Sequence, residues 1–410
     1  MRLLMTQREL VGFHGSEMVT VEVAREMAER GHEITVFSPR LGRVAKLLWP
    51  SGVRTVSRLD EVPWTPDLIH AHHHLPAMAA MARFERTPAI YYCHGAIPWV
   101  EQPPMHERIR WYVMMCDWMV RRVIAEFGLD PGRVACVPNF VNTTRFSEVR
   151  VPPAQLRRAL LFQSSGLAAN DLSQLESGCA ALGLELDKIG AAYGNAQSRP
   201  EMLLQHYDLV FASGKSALEA MATGCAVMTL APTQAGALVT TENFDTWSFA
   251  NFAPRYYSGA TPINEAWLRR EVALYSADDA AEVTAKVRRE RTLKAAGDQL
   301  EGLYRTALES GVSGTASASF APYLERMASE VDTLWGEREG MQALREHIAF
   351  LESKLAPPAA VDIQPESQKL PESETQPESD IPPESGVQPP AGKLPNLKDI
   401  FKSIFPKRGA

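Results

Sequence analysis

At 410 residues, with 45% of them hydrophobic, the chain is too long for one ordinary core and apolar enough for two. A net charge of −7, much of it contributed by the tail after Ala356, argues against nucleic acid as a partner, because generic binding of nucleic acid wants a basic face. Cys93, Cys116, Cys136, Cys179 and Cys225 lie mostly inside apolar runs without paired spacing, which reads as reduced thiols of a cytoplasmic protein.

Met1 to Gln7 lacks the long apolar core of a signal peptide, and no apolar run is long enough to span a bilayer. Leu3-Leu4-Met5 predicts a first parallel strand instead. Gly12 to Ser16, with Gly15 and Ser16 at its end, predicts a glycine-containing loop; Val19 to Arg30 follows as an amphipathic helix, and Glu33 to Phe37 as a strand. Asp67-Leu-Ile-His-Ala-His-His-His74 is the densest histidine cluster. Imidazole is a common metal ligand, but no carboxylate or cysteine stands at a ligand spacing nearby, and neighbouring strand residues face opposite ways. No bound metal is expected. Pro88 to Gly95 predicts a buried strand ending in His94, which could face a cleft and hydrogen-bond a hydroxyl, or contact backbone. Trp111 to Cys116 continues the sheet, Met119 to Phe127 predicts a helix, and Gly128 to Asn139 a turn and a last strand. Val149 to Gln155 is a short linker.

Beyond the linker the pattern restarts. Ala159 to Gln163 predicts a strand, Leu172 to Leu182 a helix, Leu184 to Ile189 a strand and Met202 to His206 a helix. Leu209-Val-Phe211 is a buried parallel strand, and Cys225 to Leu230 is its neighbour. Between them Ser213, Gly214, Lys215 and Ser216 place a turn, a cation and two hydroxyls at the start of a helix that Gly224 ends. Such a helix start is a natural anion site, with N–H groups and dipole directed at the ligand. Glu219, about a turn in, can accept hydrogen bonds from hydroxyls. Lys215 is either a phosphate cation or a solvated surface residue. Thr241 to Phe252 is aromatic-rich and expected to pack the second half rather than floor a pocket. Asp278 to Leu308 predicts one or two helices closing the body.

Phe320 to Leu355 carries an apolar stripe that slips register near Gly336 and Gly340; it reads equally as a coiled coil giving a homodimer or as a helix lying on the body. From Ala356 to about 393, Pro-Glu-Ser recurs in a composition expected to be disordered. In 394–410, Leu397, Ile400, Phe401, Ile404 and Phe405 share one helical face with lysines and Arg408 around it. That tip suggests reversible contact with a membrane surface or docking to a protein partner.

Several of these stretches carry a family resemblance. Ala217-Leu-Glu-Ala-Met-Ala-Thr-Gly-Cys-Ala-Val227, Glu29 to Val36, the Asp67 to His72 strand end and Val137 to Phe146 resemble glycosyltransferases of family 4, a retaining group with the GT-B fold. The resemblance implies an α/β protein of two Rossmann-like domains facing across a cleft: 1–150 on the acceptor side, 156–312 binding the nucleotide sugar, then the 320–355 helix, the 356–393 linker and the 394–410 tip. It implies transfer of a sugar from a nucleotide-diphosphate donor to a hydroxyl acceptor such as a glycan, with no cofactor or metal. Glu219 would hold the ribose and His94 the donor sugar, the pair being the catalytic candidates. Gly15 and Ser16, in the glycine loop, would lie against the donor phosphates or the acceptor. Ser213, Gly214, Lys215 and Ser216 are assigned to the nucleotide sugar from the helix start itself, a role for Lys215 that the resemblance does not supply. Two departures stand out: Phe211 occupies the spacing of a second acidic residue, and Gln163 to Asn170 lacks the family's phosphate-gripping Arg and Lys. A noncatalytic binding module on the same body, or a nucleotide-sugar epimerase, is the alternative.

Overall fold

The computed structural model describes residues 1–95, 99–256, 261–310 and 320–355; the 356–393 and 394–410 segments lie outside the described residues. The chain divides into two compact units, Met1–Arg338 and Glu339–Ala410.

The first unit holds two sheets. In the first half of the chain β1 (Arg2–Thr6) leads into helix α1 (Gly15–Glu29), then β2 (Glu33–Phe37), β3 (Arg54–Val56), β4 (Leu68–His72), α2 (His74–Arg83), β5 (Ala89–Cys93), β6 (Ile109–Met114), α3 (Asp117–Phe127) and β7 (Val134–Cys136). These strands form one parallel sheet in the order β3-β2-β1-β4-β5-β6-β7. β4 and β5 are buried along their whole length, as strands covered by helices on both faces must be. The second half supplies β8 (Arg158–Phe162), α4 (Ala169–Ala181), β9 (Glu185–Ile189), β10 (Leu209–Ala212), α5 (Gly214–Ala222), β11 (Ala226–Ala231) and β12 (Gln234–Leu238). Its sheet runs β12-β11-β10-β8-β9, parallel except for β12. Helices α6 (Phe244–Phe249), α7 (Glu265–Val272) and α8 (Ala277–Glu290) complete it. The aromatic-rich segment packs this half as expected: Phe244 and Phe252 are buried with rings edge to face at 5.3 Å.

Several boundaries differ from the sequence reading. Helix α1 begins at Gly15, so Gly15 and Ser16 are its first turn and not the loop before it. Met202 to His206 is not one helix: Pro200–Met202 and Leu204–His206 are separate 3₁₀ turns, each too short to gain from cooperative α-helix hydrogen bonding. The larger difference concerns α9 (Leu293–Glu309), expected to close the body and placed by the 156–312 boundary with the second half. Its Leu300, Tyr304 and Ala307 belong to the core of the seven-stranded sheet. The chain therefore crosses between halves twice, and the crossings adjoin: Val141 N donates to Arg291 O at 2.7 Å, and Leu293 N to Val141 O at 3.0 Å. Helix α10 (Ala321–Leu355) runs unbroken through Gly336 and Gly340, with Tyr323 and Met327 buried near its start.

Candidate functional site

The carboxyl ends of β1, β8 and β9 and the amino ends of α1 and α5 enclose a cavity of about 220 Å³. One wall is the Gly12-Phe-His-Gly15 loop. It is zipped to the turn after β2, Leu10 N donating to Arg40 O at 2.8 Å and Gly42 N to Leu10 O at 3.0 Å. A Cβ on Gly42 would lie 2.9 Å from Val11 Cα, so this approach demands glycine. Arg43 comes next, and its guanidinium lies 5.1 Å over the Phe13 ring. The opposite wall is Phe162-Gln-Ser164 after β8 and Gly190-Ala191 after β9. Gly190 has φ +156°, and a Cβ there would run into the Gln163 carbonyl. Gln163 is 8% exposed; its Nε2 donates to Leu230 O at 2.8 Å, and its Oε1 has no partner among the described residues.

At the back of the cavity five charged groups from both halves pair with one another. Lys215 Nζ stands 2.7 Å from Glu22 on α1 and 3.5 Å from Glu219, and donates to Phe140 O at 3.1 Å. Arg145 reaches Glu201 at 2.8 Å, Glu22 at 3.5 Å and the Ser198 carbonyl at 3.0 Å. Burial opposes charge on Lys215, but Glu22 and Glu219 overcome it and hold its pKa above the ordinary value. Burial, with Glu22 adding to it, pushes the Glu219 carboxyl up against the pull of Lys215. Of the two expectations for Lys215, a phosphate cation or a solvated surface residue, the second is not met. It is 8% exposed, and although it lines the cavity its charge is already shared with Glu22 and Glu219.

Of the other expected site residues, Gly15, Ser216 and Glu219 line the cavity. Ser16, Ser213 and Gly214 are not among its lining residues, and the Gly214 N–H is engaged by the Asn251 carbonyl at 3.1 Å. His94 is absent from it too. Its Nε2 shares a 2.6 Å hydrogen bond with His72 Nδ1, and the rings of His70, His72 and His94 stack at 4.6 and 4.7 Å. His70 Nδ1 bonds the Tyr304 hydroxyl at 2.6 Å, and Glu101 ties His73 Nε2 at 3.0 Å to the His94 N–H at 3.1 Å. Burial pushes His94 down to about 4 and His70 to about 3, and takes His72 well below its ordinary value. His70, His72 and His94 form a buried stack, and His94 does not line the cavity that holds Glu219. Among the described residues no group of three His, Cys, Asp or Glu is placed to hold a metal, and no helix is long and apolar enough to cross a membrane.

Phe211, at the spacing of the missing acid, is fully buried on β10 and packs against Trp267, its ring centroid 6.3 Å away. Arg43, Arg145, Glu22 and Gln163 went unrecognised as site residues. Arg145 lay inside a segment already singled out; nothing in the pattern around Arg43 distinguishes it.

Residues 13–145 match the sequence model described as Glycosyltransferase Family 4. No curated protein sequence matches the chain. Among solved structures, a glycosyltransferase from Rickettsia africae ESF-5 is similar at a TM-score of 0.54 and 12% identity, over 75% of this chain and 98% of that one. UGT89C1 of Arabidopsis thaliana, solved with UDP-L-rhamnose, is similar at 0.49 and 12%, over 75% and 99%. The fold is GT-B, and the chain resembles glycosyltransferase family 4.

Proposed function

We propose that this chain is a glycosyltransferase that moves a sugar from a nucleotide-diphosphate donor to a hydroxyl acceptor. The observation that carries the reading is the cavity itself, where the amino ends of α1 and α5 meet from opposite halves beside the buried carboxyl of Glu219. As the glycosidic bond breaks, negative charge gathers on the leaving diphosphate. Two helix amino ends offer fixed N–H dipoles to that charge, so the reaction is proposed to run without a metal. Glu219 accepts the ribose hydroxyls, and the gap between Gln163 and Ser198 takes the base. Retention at the anomeric carbon is what the family likeness suggests. At about 220 Å³ the cavity falls below the roughly 300–1,000 Å³ of small-molecule sites, so a whole donor requires the halves to part at Glu22 and Lys215.

One observation favours a second reading. Phe211 is a core residue where the family has an acid, which suits a body that binds nucleotide without transferring sugar. Profiling hydrolysis across nucleotide sugars, with melting temperature followed in parallel, separates the two. A transferase releases sugar from one donor, and Glu219→Ala reduces that turnover at least tenfold. A binding module shows a raised melting temperature with no turnover. If no nucleotide sugar or nucleoside diphosphate changed either quantity, both readings would fall.

A further inference from the structure

The charge distribution in the cavity poses a problem for any diphosphate ligand. Of the cations lining it among the described residues, Lys215 and Arg145 already face Glu22, Glu201 and Glu219 at 2.7–3.5 Å. Two cations against these carboxylates leave no surplus positive charge at the back of the site. Drawing Lys215 onto a phosphate would take from the buried Glu22 its 2.7 Å partner and leave it only Arg145 at 3.5 Å, which is unfavourable. Arg43 differs. Among the described residues no carboxylate lies within ion-pair distance of it, its guanidinium is held over the Phe13 ring, and it lines the same cavity from the first half. Its placement is built in: the Leu10–Gly42 and Leu10–Arg40 hydrogen bonds lock the two loops together, and the glycine at 42 permits their contact. His14 stands at the cap of α1 beside it, with no side-chain capping bond of its own. Across the cavity, the unpartnered Oε1 of the buried Gln163 marks a second polar group that awaits a donor.

Resting on the nucleotide-sugar reading, we infer that Arg43 is the diphosphate-binding residue, reaching the ligand from the wall opposite to α5. A guanidinium resting over an aromatic ring spends none of its N–H groups on that contact, so they stay free for paired phosphate oxygens, and the contact restricts the rotamers that binding would otherwise have to freeze. The sequence after β8 has no Arg or Lys between Gln163 and Asn170, so the positive charge absent from the second half is supplied by the first. Gln163 then accepts from the ribose or the base. This arrangement also makes diphosphate binding a contact between halves: the nucleoside rests on the second, and the first supplies the side-chain cation for its phosphates.

The experiment is calorimetric titration of the full chain with UDP, GDP and ADP and with their nucleosides, on wild type, Arg43→Ala, Arg43→Lys and Lys215→Met. The expected result is a diphosphate affinity lowered ten- to a hundredfold in Arg43→Ala, with nucleoside affinity unchanged. Arg43→Lys recovers part of the loss, because a point charge replaces a fork. Arg43 is exposed, so Arg43→Ala should melt with wild type, whereas Lys215→Met melts lower; the diphosphate-over-nucleoside ratio of whatever Lys215→Met remains folded should be that of wild type. If wild type binds a diphosphate and Arg43→Ala binds it equally well, the role of Arg43 is overturned while the nucleotide reading stands. If wild type binds no diphosphate, the nucleotide reading fails and the role of Arg43 with it.

Discussion

Lys215 shows how one side chain can be defined by partners far away in the chain. It begins α5, where a helix dipole favours anions rather than a cation, yet Glu22 from α1 and Glu219 from its own helix hold it in place. Removing it should be costly in a pH-dependent way. Lys215→Met leaves two buried carboxyls facing each other, and we expect a loss of about 3–5 kcal/mol near neutral pH, measured by urea unfolding. The burial that already raises Glu219 would then be opposed by Arg145 alone, without the pull of Lys215. A carboxyl whose folded pKa exceeds its unfolded one favours folding below the unfolded value and loses that contribution as pH rises through the folded one. The deficit of Lys215→Met should therefore shrink as the pH is lowered from 8 to 5. A deficit constant across that range would show that the two carboxyls do not meet.

At the scale of elements, α9 carries the corresponding lesson. Its Tyr304 reaches under the sheet to hydrogen-bond His70, so the last helix of the body reads a strand more than two hundred residues earlier. Tyr304→Phe should cost about 2 kcal/mol, the lost bond plus an imidazole nitrogen left buried without a partner, with the unfolding midpoint as readout. A cost near zero would mean that water replaces the hydroxyl. The alternation of strands and helices was legible because each element announces itself locally: Leu3-Leu4-Met5, Leu209-Val-Phe211 and the Gly31 and Gly224 stops need no distant partner. The destination of α9 was not legible, since an amphipathic face states that it will be buried but not against which sheet. The fate of Lys215 was hidden for the same reason. The histidine stack was half visible: His70 and His72, two apart on one strand, share a face, but the pairing of β4 with β5 that brings His94 alongside is a matter of register. Arg43 was invisible, because its role depends on two loops that meet only in space.

For the whole molecule, the buried histidines predict how it fails in acid. His70, His72 and His94 are pushed below the ordinary imidazole value, chiefly by burial, so the unfolded chain takes up protons near pH 6.5 that the native chain refuses until about pH 4 or below. Stability should be full above that unfolded value and fall as the pH drops towards the folded ones. Each histidine contributes a slope of roughly 1.4 kcal/mol per pH unit. Urea midpoints between pH 6.5 and 5 should decline by more than one histidine's worth; a flat profile there would show that the stack is already protonated or open to water. The same molecule has a mechanical character set by its paired crossings. Where Val141 and Thr292 adjoin, the joint between the halves is two passages of chain tied by two backbone hydrogen bonds rather than a single cord. A cord lets its two loads swivel freely. Two tied passages resist relative twist more than one would, since twisting has to shear the bonds of Val141 to Arg291 and Leu293, and that resistance favours one register between the Arg43 wall and α5.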